Sequence, residues 1–84
     1  MKEIKIYTGP MCNYCEAAKR LLKRNNATYN EIDISKVEGA MDEMIKKANG
    51  KRTIPQIFFD DEHIGGYDEV RALEKENKLQ DLLK

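Results

Sequence analysis

Apolar and charged residues alternate at the start of the chain, Lys2-Glu3-Ile4-Lys5-Ile6-Tyr7, a period-two pattern that predicts a strand over residues 2–7. From Tyr14 the period changes. Cys15, Ala18, Leu21 and Leu22 recur at helical spacing, predicting a helix over residues 14–24 that Asn25-Asn26 stops. Alternation returns over residues 28–34 around Tyr29, Ile32 and Ile34, the mark of a second strand. Ser35-Lys36-Val37-Glu38 then has the form of a capping box, in which a serine and a glutamate three residues on satisfy the free N–H groups of a helix start. Val37, Met41, Met44, Ile45 and Ala48 keep helical spacing up to Asn49-Gly50, a pair suited to a left-handed helix ending. Residues 55–59 and 62–64 read as a hairpin turning at Asp60-Asp61, followed by Gly65-Gly66. Val70, Leu73, Leu79, Leu82 and Leu83 line a helical tail with a break near Asn77.

The order β-α-β-α-β-β-α predicts an α/β fold. Two strands joined by a helix should lie parallel and the hairpin antiparallel, giving a mixed sheet flanked by helices. At 84 residues, 1–84 is expected to form a single small domain. Fifteen basic and fifteen acidic residues balance, so no overall field steers the chain toward nucleic acid or an anionic membrane. No apolar run approaches the roughly 20 residues of a membrane span, and the alternating start is unlike a signal peptide. A cytoplasmic or equivalent reducing setting is the expectation.

The chemistry of the chain centres on Cys12 and Cys15, placed where the first strand hands over to the first helix. Unpaired N–H groups at a helix start, with the positive end of the helix dipole, favour a thiolate, and the thiolate is the form that attacks disulfides. Cysteines three apart on one turn can also approach bonding distance. A structural staple is a poor explanation, because closing so short a loop constrains the unfolded chain by only about 2 kcal/mol. A C-x-x-C pair in a β-α-β pattern reads instead as a thioredoxin-like redox site.

Three motifs sharpen this. Cys12-Asn13-Tyr14-Cys15, Thr53-Ile54-Pro55 and Gly65-Gly66-Tyr67-Asp68 resemble, in order and spacing, the C-P-Y-C, T-V-P and G-G-x-[ST/D]-D signatures of glutaredoxins. The resemblance covers essentially the whole chain. It implies a thioredoxin-like fold with a four-stranded sheet in the order 2-1-3-4, Cys12 as the exposed nucleophile and Cys15 as the resolving, more buried thiol. It also implies a cis Pro55 facing the cysteines, with the Ile54 backbone free to pair with an extended thiol peptide. Glutathione as co-substrate would lie along Thr53, Ile54 and Pro55, with Tyr14 beside it. The N–H groups of Tyr67 and Asp68, after Gly66, would receive its γ-glutamyl carboxylate, Asp68 or Glu69 its amine, and Lys51 and Arg52 its glycine carboxylate.

The chain departs from the pattern in three places. Gly9 stands where many glutaredoxins carry a lysine, a charge that either Lys51, Arg52 or Lys19 replaces or whose loss slows the reaction. Asn13 replaces a proline, which leaves open a second reading: a dimer bridging a [2Fe-2S] cluster through Cys12 and glutathione. Glu69 stands where the family prefers aspartate. The implied activity is a glutathione-dependent thiol-disulfide oxidoreductase, acting as a monomer on glutathionylated proteins and on protein disulfides such as that of ribonucleotide reductase. A thioredoxin-reductase-dependent donor is a third reading, and zinc is disfavoured because one C-x-x-C and one distant histidine leave its four-ligand shell incomplete. His63 reads as surface or structural, and Met11 either as an apolar wall beside Cys12 or as a core contact.

Overall fold

The computed structural model describes residues 2–84. Strand β1 (Ile4–Thr8) sits at the centre of a four-stranded sheet in the order β2-β1-β3-β4. It runs parallel to β2 (Asn30–Asp33), with Lys5 opposite Asn30, and antiparallel to β3 (Gln56–Phe59), with Ile6 opposite Ile57. Strand β4 (Glu62–Gly65) pairs antiparallel to β3 and shows an irregularity beside Ile57 and Phe58. This is the thioredoxin-like arrangement and strand order that the sequence implied.

The strand period divides the core in two. Ile4 and Ile6 of β1 and Ile57 and Phe59 of β3 point to one face, where they meet Ala18, Leu21 and Leu22 of helix α1 (Asn13–Arg24) and Val70 of helix α3 (Tyr67–Lys75). Leu79 and Leu83 of the short helix α4 (Leu79–Leu83) close that cluster. Tyr7 and Phe58 point to the other face and pack with Met44 and Ala48, respectively within and just after helix α2 (Ala40–Lys47). The N-terminal alternation therefore ends in an unbroken buried run, Ile6-Tyr7-Thr8, because a central strand is covered on both faces. The tail breaks where the sequence indicated, at Asn77, which is left-handed with φ +58°. Asn49 and Gly50 end α2 with φ of +58° and +89°.

One element starts later than its motif suggested. The Ser35–Glu38 capping box does not form, and α2 begins at Ala40 behind a left-handed Gly39. Asp33 takes Ser35 for itself: its Oδ1 accepts the Ser35 N–H at 2.9 Å and the Ser35 hydroxyl at 2.6 Å. The N–H groups of Lys36 and Val37 both turn back to the Asp33 carbonyl. An aspartate turn at the end of β2 thus competes with the helix for the same donors and wins. Val37 and Met41 consequently stay 50% and 41% exposed rather than entering the core.

Candidate active site

Cys12 is the N-cap of α1. Its backbone is extended (φ −111°, ψ 103°) and its Sγ accepts the Cys15 N–H at 3.1 Å, in the position usually taken by a serine or aspartate oxygen. The helix then carries Cys15 inward by one turn, leaving it 1% exposed beside the core while Cys12 is only half-buried. The two sulfurs are joined as a disulfide, with Cα atoms 5.2 Å apart. Met11, immediately before the cap, has φ +55° and is fully exposed, so it is no core contact.

The Ile54-Pro55 bond is cis, and the Ile54 carbonyl oxygen lies 3.9 Å from Cys12 Sγ. Among the described residues, the loop hydrogen bonds give the Ile54 N–H and C=O no backbone partner. Thr53, Ile54 and Pro55 form one wall of a groove of about 230 Å³. Gly66, Tyr67, Asp68 and Glu69 form the facing wall, and Tyr14 stands at one side with its ring centroid 5.9 Å from that of Tyr67. Three segments far apart in sequence therefore converge on one groove, which Ile54 joins to Cys12. Lys51 and Arg52 are exposed and do not line this groove.

The geometry of the facing wall depends on its glycines. Gly65 has φ +128°, and a Cβ there would sit 2.5 Å from Glu69 Oε1; a Cβ on Gly66 would sit 3.2 Å from the Pro55 carbonyl. Glu69 bends its carboxylate back to accept the Gly66 N–H at 2.6 Å. It thereby serves its own helix start, leaving the exposed Asp68 as the carboxylate beside it that faces outward. The sequence reading offered both acids to a ligand amine. The signal that distinguishes them is position, since Glu69 is the third residue of α3, where a glutamate characteristically reaches back to the cap.

Of the three candidate replacements for the missing cation near Gly9, Lys19 is already committed. Its ammonium lies 2.5 Å from Glu16 and 3.1 Å from Glu31, and the hydrogen bond to Glu16, then that to Glu31, hold it in the charged form above its usual range. A Cβ at Gly9 would lie 2.7 Å from Ile54 Cδ1, so Ile54 occupies the space through which any side chain at position 9 would have to leave.

A model of the glutaredoxin family matches residues 4–64, which takes in the cysteine pair, the cis-proline loop and most of β4. The chain belongs to the glutaredoxin family. Glutaredoxin 3 of Escherichia coli (strain K12) is 42% identical over 84 residues, the full length of both chains. The solution structure of the glutaredoxin from Brucella melitensis superposes with a TM-score of 0.86 at 48% identity, over 100% of this chain and 90% of that one. A crystal structure of a buckwheat glutaredoxin-glutathione complex superposes with a TM-score of 0.86 at 27% identity, over 98% of this chain and 76% of that one. With a dithiol pair at the helix start, this glutaredoxin is a thiol-disulfide oxidoreductase.

The residues present do not complete a metal or cluster shell within one chain. Among the described residues no group of three or more histidine, cysteine, aspartate or glutamate side chains converges, and Cys15 is buried. Cys12 alone would be available to a [2Fe-2S] cluster, which needs four ligands.

Proposed function

We propose that this glutaredoxin uses glutathione to reduce protein-glutathione mixed disulfides and protein disulfides. The observation that carries the reading is the placement of Cys12 Sγ beside the Ile54 backbone, which has no backbone partner among the described residues, across a groove from the start of α3. A γ-glutamyl-cysteinyl backbone can extend along Ile54 as an added strand, with its sulfur at Cys12. The Tyr67 and Asp68 N–H groups at the helix start suit its α-carboxylate and the Asp68 side chain its amine. Lys51 and Arg52, exposed just before Thr53 and outside the groove, are the cations proposed for its far carboxylate. The buckwheat neighbour, which binds glutathione on the same fold, supports this assignment.

The reaction runs by thiolate exchange. The Cys12 thiolate attacks the glutathionyl sulfur, the bond to the protein sulfur breaks, and the departing protein thiolate takes up a proton. A second glutathione thiolate then attacks the glutathionyl sulfur, releasing glutathione disulfide and restoring the Cys12 thiolate. Alternatively the Cys15 thiolate attacks Cys12 Sγ, expels glutathione and forms the Cys12–Cys15 disulfide. For a full protein disulfide such as that of ribonucleotide reductase, Cys12 attacks one sulfur and the other leaves as a thiolate; Cys15 then attacks Cys12 Sγ, expels the second protein thiolate and forms the same disulfide, which two glutathione thiolates reduce in turn. In the proposed setting, the cytoplasm, the thiol pool keeps such a pair reduced, and one copy of the chain suffices.

The test follows deglutathionylation of a model peptide by reduced glutathione, coupled to glutathione reductase and NADPH, for the wild type, Cys12→Ser and Cys15→Ser. Loss of activity in Cys12→Ser with retention in Cys15→Ser is expected. A wild type inactive with glutathione but reduced by thioredoxin reductase would replace this reading with that of a reductase-dependent donor.

A further inference from the structure

Gln56 is a polar residue buried to 2% exposure inside the apolar strand β3. Its amide nitrogen donates to the Thr53 carbonyl at 2.9 Å and lies 3.1 Å from Thr53 Oγ1. Its Oε1 lies 2.7 Å from His63 Nε2, on the neighbouring strand β4. Reversing the amide would set its oxygen against the Thr53 carbonyl, acceptor against acceptor, so the orientation is fixed by the partners. With its nitrogen committed to Thr53, Gln56 can only accept from His63, and His63 Nε2 must carry the hydrogen. The His63 ring is itself held against Phe58, with centroids 5.0 Å apart. Burial, and then the charge of Lys51, lower the tendency of His63 to protonate, with Glu69 opposing them.

The chain of bonds ends at the groove. Thr53 is the first residue of the wall that continues through Ile54 and Pro55. An unbonded Thr53 carbonyl would be free to rotate its peptide plane, and the Ile54 N–H, which lies in that plane and points the opposite way, would turn with it.

We propose that His63 and Gln56 are positioning residues, whose hydrogen-bond chain fixes the Thr53-Ile54 peptide so that the Ile54 N–H faces the glutathionyl backbone. This rests on the glutathione reading above. Neither side chain touches the reacting sulfurs; they act on how well the substrate is held. Protonation does not break the chain, because the imidazolium also donates from Nε2.

The test compares the wild type with His63→Phe, which keeps a ring against Phe58 but has no N–H, and with His63→Gln, whose amide restores a donor at similar reach. For the glutathionylated peptide, KM is expected to rise about fivefold in His63→Phe, the scale of one lost hydrogen bond, with kcat within about twofold of wild type. His63→Gln is expected to recover most of that loss. Imidazole nitrogen NMR of the wild type is expected to show the Nε2–H tautomer. The proposal is overturned by the Nδ1–H tautomer, which decides the matter even where His63→Phe does not fold, by an unchanged KM in folded His63→Phe, or by His63→Gln performing no better than His63→Phe. A wild type that does not turn over the peptide overturns the glutathione reading and this proposal with it, an outcome distinct from an active enzyme whose KM ignores His63.

Discussion

The Cys15 N–H donates to Cys12 Sγ at 3.1 Å, so the sulfur proposed to attack the substrate also caps the helix that carries its partner. The two roles separate by substitution. Cys12→Ser retains an acceptor for that N–H, whereas Cys12→Ala leaves it without one. Under reducing conditions Cys12→Ala is expected to be about 1 kcal/mol less stable than Cys12→Ser in urea denaturation, and both are expected to be inactive. Equal stability of the two variants would show that the cap contributes nothing.

Asp68 and Glu69 are adjacent acids with different work. Asp68→Asn is expected to raise KM for the glutathionylated peptide several-fold and to leave the unfolding midpoint in place. Glu69→Ala removes the carboxylate that accepts the Gly66 N–H and is expected to cost about 1 kcal/mol of stability. The opposite pattern, with Glu69 dominating KM, would mean that ligand binding draws its carboxylate away from Gly66.

Glu74 joins α3 to the end of α1. It accepts from Arg24 Nε at 2.9 Å and Nη2 at 2.6 Å, from Asn25 Nδ2 at 2.7 Å and from Arg71 Nη1 at 2.9 Å. These donors, Arg24 first, pull its carboxyl down to about 2 from an ordinary value near 4.5. A carboxyl depressed by folding contributes stability that is fully present above its unfolded value and is lost as pH falls toward its folded one. Allowing for solvent screening at this partly open site, Glu74→Gln is expected to cost about 1 kcal/mol at pH 7. In chemical denaturation from pH 7 to pH 2, the gap between wild type and variant should hold down to about pH 5 and close by about pH 2. A gap independent of pH would assign the loss to packing.

Gly9 and Ile54 should be energetically coupled. A methyl at position 9 meets Ile54 Cδ1 at 2.7 Å, the end of a side chain that can swing away at some cost. Gly9→Ala is expected to lose about 1 kcal/mol in the wild-type background and markedly less in Ile54→Val, which lacks that methyl. A double-mutant cycle on unfolding free energies measures the coupling, and additivity would show that Ile54 yields freely.

The parts of the fold written in a single period were legible. The face of α1 carrying Cys15, Ala18, Leu21 and Leu22 and the split between Ile57, Phe59 and Phe58 follow from spacing alone. What the spacing did not show was competition between neighbours. Ser35 had a helix cap's credentials, but Asp33, two residues earlier, bonded it first. Within the site, motif order brought Tyr14, the Thr53–Pro55 loop and the Gly66–Glu69 turn into consideration together, and the fold does gather them around one groove. It did not reveal that Lys19 is already held by Glu16 and Glu31, because the approach of α1 to β2 is set by the crossover and by no local pattern. Gln56 carried a signal that went unused: an amide alone in an otherwise apolar strand needs partners, and a buried one must have found them.

The strands at the two rims of the sheet, β2 and β4, are only four residues long each. A foreign chain extending the sheet would meet Glu31 and Asp33 along one rim and Glu62 at the other, with few rungs to gain before the ladder ended. Short, acidic rims of this kind give an incoming extended chain little template on which to aggregate.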